Sequence, residues 1–331
     1  MKLNFQSRLV IVILVLLISA PLVLLKLYNY LLTPASKLET PQRFVIKPGQ
    51  PFMQIAQNLE KEKLIRSAIA FRILVAQLGI TTKIQAGDYQ IPQNLSSQEI
   101  AKLLTFGALD IWITFPEGQR IEQQAETLVN KLKTADNEKY QFDKQDYIKE
   151  AEEGYMFPDT YLISKDASAS AIVKKLRGTF EDKVTKSLLG KGLNNGLTEN
   201  EVIILASLIE REAKTNEERA IIAGILLNRI KDGMALQVDA TVQYAKGYDE
   251  SNKTWWPGIT QEDYTSVKSP YNTYLYTGLP PAPISNPGLD SIRAAAEPIS
   301  TPYYYYLHDS KGKIHYAKTG EEHQQNIQKY L

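Results

Sequence analysis

Apolar and polar positions divide the chain into segments with different periods. From Leu9 to Leu25, seventeen consecutive residues carry no charge, and the apolar character continues past Lys26 through LYNYLL. About 20 apolar residues span a bilayer. A secretory signal core is shorter, about 7–15 residues, and is followed by a small-residue cleavage site, which is not seen here. Residues 9–32 are therefore expected to form an uncleaved transmembrane anchor. Lys2 and Arg8 precede it, so residues 1–8 are expected in the cytoplasm and the remainder outside it, on a single-pass protein of the cytoplasmic (inner) membrane. The next ten residues, TPASKLETPQ, are polar with two prolines and read as a linker over 33–42.

Residues 43–109 alternate between two periods. FVIKPG and IQAGDYQIP read as short strands. PFMQIAQNLEKEKLI, AIAFRILVAQLG and SSQEIAKLLTFG read as helices, the last with Ser96 and Glu99 at capping-box spacing. The result is a small strand–helix–helix–strand–helix module. Residues 110–331 form the second region. DIWIT opens it as a strand, followed by a helical stretch and the charged segment KLKTADNEKYQFDKQDY. Thr198/Glu201 and Thr215/Glu218 give two more capping boxes, so two helices are expected to meet in a corner just after Glu212. Met234 to Glu297 is rich in Pro, Gly, Tyr and Asn with little periodicity, as in an ordered functional loop. YYYYLHD and IHYAKT flank SKGK as a hairpin, and EEHQQNIQKYL reads as a closing helix. The fold class expected is α+β: one transmembrane helix, a small α/β module, then a mixed α+β catalytic domain.

Composition narrows the chemistry. Thirty-eight basic and 37 acidic residues leave a net charge of +1, which gives no electrostatic case for nucleic acid. The chain has no cysteine, so disulfides, thiolate metal sites and cysteine nucleophiles are excluded. The three histidines, His308, His315 and His323, all fall in the last 24 residues. His315 and His323 read as structural or surface residues.

The chemistry to be explained is ASLIEREAK, where Glu210 and Glu212 follow the apolar run EVIILASLI. At 100° per residue, Glu210 falls on the stripe of Ile203, Ala206 and Ala213, and Glu212 on that of Leu205 and Leu208. Periodicity does not choose between them. The alanines at i−4 and i+3 leave room beside Glu210, whereas a leucine fills the space beside Glu212. The plain reading is a solvated helix end, with Glu210 and Lys214 as an i,i+4 pair.

LASLIEREA, LNRIKDGMALQVDATVQYA, SPYNTYLYTGLPPAPISNPG and EEGYMFPDTYL resemble, in order and spacing, segments of the YceG-like family of endolytic murein transglycosylases. KIQAGDYQIPQNLSSQEIAKLLTFG resembles half of that family's LysM-like module, which would occupy 43–109, with the catalytic domain over 110–331. The resemblance implies cleavage of the β-1,4 bond from N-acetylmuramic acid to N-acetylglucosamine in nascent glycan strands. The product would carry a 1,6-anhydro end, terminating elongation, and no cofactor or metal is needed. It also implies the first glutamate, Glu210, as catalytic acid. Gln237, Asp239 and Thr241, alternating on one side of an extended segment, would line the glycan cleft with Tyr271, Asn272, Tyr274 and Tyr155. A polar strand face, a loop-capping asparagine and an aromatic turn under the site are the structural alternatives for these residues. Ala240 stands where the family usually has proline, and Ala282 where it often has glycine. The implied partners are peptidoglycan strands and a peptidoglycan synthase at the membrane, not nucleic acid.

Three other readings compete. One is a muramidase-type hydrolase pairing Glu210 with Asp239, and another is a non-catalytic peptidoglycan-binding anchor. The third is a pyridoxal-phosphate lyase, for which no Schiff-base lysine or phosphate cup is recognisable.

Overall fold

The computed structural model describes residues 5–106, 110–133 and 142–331, with the side chains of residues 1–16, 18 and 106 outside the description. The fold is mixed, with helices and antiparallel sheets, in two compact units. The first comprises Met1–Trp112 and Tyr161–Lys165, the second Ile113–Thr160 and Asp166–Leu331.

The first unit carries α1 (Phe5–Leu31), β1 (Pro41–Ile46), α2 (Phe52–Lys61), α3 (Ala68–Gln77), β2 (Gly87–Pro92) and α4 (Ser97–Phe106). The chain then enters β3 (Asp110–Thr114). β1 and β2 pair antiparallel from Pro41↔Pro92 to Ile46↔Gly87, and β3 follows β2 with Gly87 opposite Ile111. Phe44 and Ile46 alternate inward on β1 and meet Leu59, Phe71, Tyr89, Ile100 and Leu104 in one core. The expected capping box closes α4: Glu99 accepts from the Ser96 N–H at 2.8 Å, and the Ser96 hydroxyl accepts from the Glu99 N–H at 3.3 Å. The last turn of α1 is tied to this unit by Tyr28 Oη donating to Gln77 Oε1 at 3.1 Å. Among the described residues no helix is long and apolar enough to cross a membrane. Of the expected anchor over 9–32, the side chains of residues 9–16 and 18 lie outside that description.

The second unit carries α5 (Ile121–Leu132), α6 (Lys144–Glu150), α7 (Ala169–Lys183), α8 (Lys186–Gly190), α9 (Glu199–Glu212) and α10 (Asn216–Lys231); between α6 and α7 the chain runs through β4 (Thr160–Ser164), of which Tyr161–Ser164 belong to the first unit. The second unit continues with α11 (Asp239–Lys246), α12 (Asp263–Ser266), α13 (Leu289–Ala296), β5 (Tyr305–His308), β6 (Ile314–Ala317) and α14 (Gly320–Tyr330). β4 is the fourth strand of the sheet β1-β2-β3-β4, and β5 and β6 form a separate hairpin. Much of the expected charged segment, residues 134–141, lies outside the described residues. The expected loop from Met234 to Glu297 instead holds three helices. They are short, and packing rather than a long periodic stripe supports them.

α9 is the centre of this unit. Every residue from Val202 to Ile209 is buried, so the helix is apolar all round because it is surrounded. Both capping boxes form. Thr198 and Glu201 start α9, and Thr215 and Glu218 start α10, with a three-residue corner between the helices. α10 is sealed by the segment after α13. Ile299 N–H donates to Ala220 O at 3.1 Å, and a Cβ on Gly224 would sit 2.1 Å from the Ile299 carbonyl oxygen. That contact is with backbone, so Gly224→Ala is expected to force the segment off the helix. The cost should be about 1–3 kcal/mol, read as a lower midpoint in urea unfolding.

A polar knot ties the loops around this core. The Asn286 side-chain oxygen Oδ1 accepts from the Gly154 N–H at 3.0 Å and the Met156 N–H at 2.9 Å. Its amide donates to Gln119 O at 3.0 Å and Glu153 Oε1 at 2.7 Å. The Glu153 carboxyl is pushed up to about 8, first by desolvation and then by the charge of Glu122. The folded chain therefore holds a proton there that the unfolded chain, with an ordinary value of 4.5, has lost. This contribution to stability is fully present below about 4.5 and is lost as pH rises through about 8. Thermal melts should show Tm falling across that window. In Glu153→Gln, which still offers Asn286 a carbonyl, the fall should be shallower; parallel curves would exclude Glu153 as its source.

Candidate active site

α9 ends in the two glutamates, and the corner sends them to different places. Glu210 turns inward. Its Oε1 receives Arg219 Nη2 at 3.3 Å and its Oε2 receives the Gly288 N–H at 2.9 Å, at the start of α13. Its side chain is 6% exposed, so both oxygens are occupied by donors with little room for a substrate. Arg219 also donates through Nε to Ser291 Oγ at 3.0 Å and hydrogen-bonds Asn216 Oδ1. Glu117 lies beside this pair, and its carboxyl is pushed up by burial and then by the charge of Glu210.

Glu212 opens onto a cavity of about 620 Å³. α11 brings Asp239 and the segment leading into it brings Gln237; the loop through α12 brings Tyr264 and Tyr274; β5 brings Tyr305 and Tyr306; α14 brings His323. Burial pushes the Glu212 carboxyl up to about 7, opposed by the Tyr306 hydrogen bond and reinforced by the charge of Asp239. Tyr306 Oη donates to Glu212 Oε2 at 2.8 Å. Across the cavity, Tyr274 Oη donates to Asp239 Oδ1 at 2.5 Å and its ring stacks on Tyr264 with centroids 4.0 Å apart. Burial first, and the Asp239 bond next, push the Tyr274 phenol up, so it remains a donor. The arrangement offers one desolvated carboxyl able to give and take a proton near neutral pH, and a second carboxylate nearby.

The polypeptide around the cavity is fixed by a framework of hydrogen bonds to backbone groups. Arg229 donates through Nε to Tyr304 O at 2.7 Å and through Nη1 to Leu236 O at 2.7 Å, so one guanidinium holds both β5 and the approach to α11. Gln237 has φ +51, a conformation that costs a non-glycine residue energy and persists where its surroundings hold it. The Thr273 hydroxyl accepts from the Val238 N–H at 3.0 Å and shares a 2.9 Å hydrogen bond with the Thr241 hydroxyl.

Of the residues singled out from sequence, the cavity unites Gln237, Asp239 and Tyr274. It does not include Glu210. Thr241 is fully buried, because Asp239 to Lys246 is helical rather than extended and turns this residue into the core. Asn272 is likewise fully buried; its amide donates to Tyr264 O at 3.1 Å and Val267 O at 2.9 Å, and so caps the loop. Tyr271 packs its ring on Tyr244 at 4.8 Å. Tyr155 donates to Asn200 Oδ1 at 2.8 Å and lies under Arg177, away from the cavity. Thr241, Asn272 and Tyr271 are buried or packed behind the cavity rather than in it. Trp255 and Trp256 also do not line the cavity; they donate to Glu126 and Gln123, and Arg211 sits 3.9 Å over the Trp256 ring. His315 pairs with Asp309 at 2.9 Å, whereas His323, read as structural or surface, stacks on Tyr305 at the cavity wall. Among the described residues no group of three His, Asp or Glu side chains converges as a metal site.

The cavity also holds residues to which the sequence reading gave no site role: Glu212, weighed there against Glu210 and set second, with Arg229, Tyr264, Tyr305 and Tyr306. For Glu212 the signal was available. It is the last helical residue, so the leucines of its stripe lie below it and nothing of the same helix lies above. Ala213 leaves in an extended conformation, and the space beyond the helix end becomes cavity.

The sequence model of the YceG-like family matches residues 44–329. A Bacillus subtilis (strain 168) protein named endolytic murein transglycosylase is 34% identical over 332 residues, covering 91% of this chain and 88% of the relative. A protein of the same name from Streptococcus pneumoniae serotype 2 (strain D39 / NCTC 7466) is 26% identical, covering 92% of this chain; the alignment spans 62% of that longer relative. The crystal structure of a YceG-like protein from Listeria monocytogenes superposes with a TM-score of 0.57 at 30% identity, covering 86% of this chain and 98% of the other. With a family match running from β1 to α14 and a relative 34% identical along nearly its whole length, this chain belongs to the YceG-like family.

Proposed function

We propose that the protein is a lytic transglycosylase that cleaves peptidoglycan within glycan strands, with Glu212 rather than Glu210 as its proton-transfer residue. The observation that carries the assignment is the Glu212 carboxyl, held up to about 7 and open to the cavity, against a Glu210 whose oxygens are taken by Arg219 and Gly288. The name shared by the Bacillus and Streptococcus relatives supports the substrate. In the proposed reaction Glu212 protonates the departing glycosidic oxygen as the bond to C1 of the muramic acid breaks. The resulting carboxylate then takes the proton of the C6 hydroxyl as that oxygen closes on C1. One residue serves as acid and then base, and no water is consumed. Asp239 and Gln237 present polar groups to the sugar on the opposite wall.

The pair Glu212 and Asp239 on one cavity favours one alternative, a hydrolase with two carboxylates. The products separate them: 1,6-anhydro ends for the lyase, reducing ends for the hydrolase. Membrane attachment through α1, a LysM-like first unit over 43–109 and a catalytic region over 110–331 complete the proposal. Leu22 to Leu25, all exposed on α1, support an apolar anchoring surface. Action on nascent strands beside a synthase would follow from that attachment.

Glu212→Gln is expected to lower release of anhydro-ended fragments from purified peptidoglycan by at least ~10²-fold, followed by mass spectrometry. Glu210→Gln is expected to keep most of the activity. The reverse ranking would refute the assignment. Because Glu212 must begin protonated, wild-type activity should fall as pH rises through about 7. A rate still climbing well above that pH would show that another group donates the proton.

A further inference from the structure

Glu212 has two oxygens, and only one is engaged. Oε2 accepts the Tyr306 phenol proton at 2.8 Å, while Oε1 has no protein partner among the described residues. Tyr306 is held on several sides. Its ring packs against the main core, and its backbone lies in the hairpin opposite Tyr316. The strand that carries it is pinned to α10 by Arg229 Nε on Tyr304 O and by Asn228 Nδ2 on Tyr303 O at 3.0 Å. α10 starts from the same corner that ends with Glu212, so the phenol and the carboxyl are anchored to one framework.

We propose that Tyr306 is a positioning residue of this site: its phenol occupies Oε2 of Glu212 and leaves Oε1 as the oxygen that carries the transferable proton toward the substrate. The inference rests on Glu212 as proton donor. The phenol is a dependable donor because burial and the neighbouring Glu212 charge push it well above its ordinary value. Other ionisable groups also face this carboxyl. Asp239 from α11 raises it, and Arg211 from α9 and Arg229 from α10 lower it. His308 from β5 and His323 from α14 line the same cavity, with His308 directed to Glu218 at 3.3 Å and His323 held down by burial and by Arg229. Tyr306 alone among these donates a hydrogen bond to the carboxyl, so it alone selects an oxygen.

The test compares wild type, Tyr306→Phe, and full-length protein with 3-fluorotyrosine at position 306, using purified peptidoglycan strands across pH. In Tyr306→Phe, the ionised form of Glu212 loses a donor and the proton loses its preferred oxygen. The alkaline limb should move to higher pH, and kcat should fall on the order of tenfold with KM within about twofold. Fluorotyrosine, a stronger donor of the same shape, should move the limb to lower pH. An unchanged profile and kcat in Tyr306→Phe would overturn the proposal, as would a rise in KM alone, which would make Tyr306 a binding wall. If Tyr306→Phe does not fold, the fluorotyrosine protein decides, and an unmoved limb overturns the proposal. The Glu212 carboxyl is also followed without turnover, by carbon NMR of labelled glutamate assigned through Glu212→Gln. A resonance that shifts with residue 306 while Glu212→Gln stays fully active means that the proton-donor reading has failed, not the hydrogen bond.

Discussion

A helix wrapped on every side by core has to end somewhere, and how α9 ends governs the second unit. Eight consecutive residues, Val202 to Ile209, are buried, so the helix has no solvated face along that length. The charged residues that follow are the first chance to leave the interior, and they leave in three directions. Glu210 meets Arg219 and the Gly288 N–H just ahead of α13. Arg211 lies over Trp256. Glu212 reaches past the helix end into a cavity that does not fully hydrate it. A carboxyl in that position favours its neutral form, because desolvation penalises the charge. The apolar run thus shapes the acidity of a residue three positions beyond it.

The same core needs its loops held down without hydration, and this is done by side chains that look unremarkable in sequence. Asn286 serves four partners around Gly154 and Gln119. Arg229 bridges Tyr304 and Leu236, and the Thr241–Thr273 pair holds the start of α11. Buried polar groups of this kind contribute mainly by being satisfied, since each would be costly left alone. Their effect on function is indirect but definite. They set where Gln237, Asp239 and Tyr306 emerge.

Local chemistry was legible from the sequence wherever it was self-contained. All three capping boxes form at the residues that spell them, and the hairpin around Gly312 and the closing helix stand where the alternation puts them. Reading stopped where a residue's direction depended on distant packing. Thr241 and Asn272 have the right chemistry for a sugar but are turned inward, Thr241 because the LQVDATV segment winds into a helix after Val238 and Asn272 because its amide caps the loop at Tyr264 and Val267. Glu210 had the emptier helical surroundings in sequence. That space is filled by Arg219 and by the start of α13, 78 residues further on. No helical wheel contains that information. Helix termination did contain part of it, since a final residue owes its surroundings to other elements and not to its own stripe.

The cavity is therefore a late product of the chain. Its walls come from α9, α10, α11, the loop through α12, the hairpin and α14, that is, from Glu212 through Ile327. None of these elements could alone present the proton donor proposed for this cavity. α9 supplies the carboxyl, α10 and α11 supply the charges that move its proton affinity up and down, and β5 supplies the phenol that picks one of its oxygens. Until the last thirty or so residues pack against the corner, Glu212 lacks both its tyrosine partner and its dry surroundings, and should behave as an ordinary surface glutamate. The chemistry of the ASLIEREAK corner is set as much by the C-terminal hairpin and helix as by the motif itself.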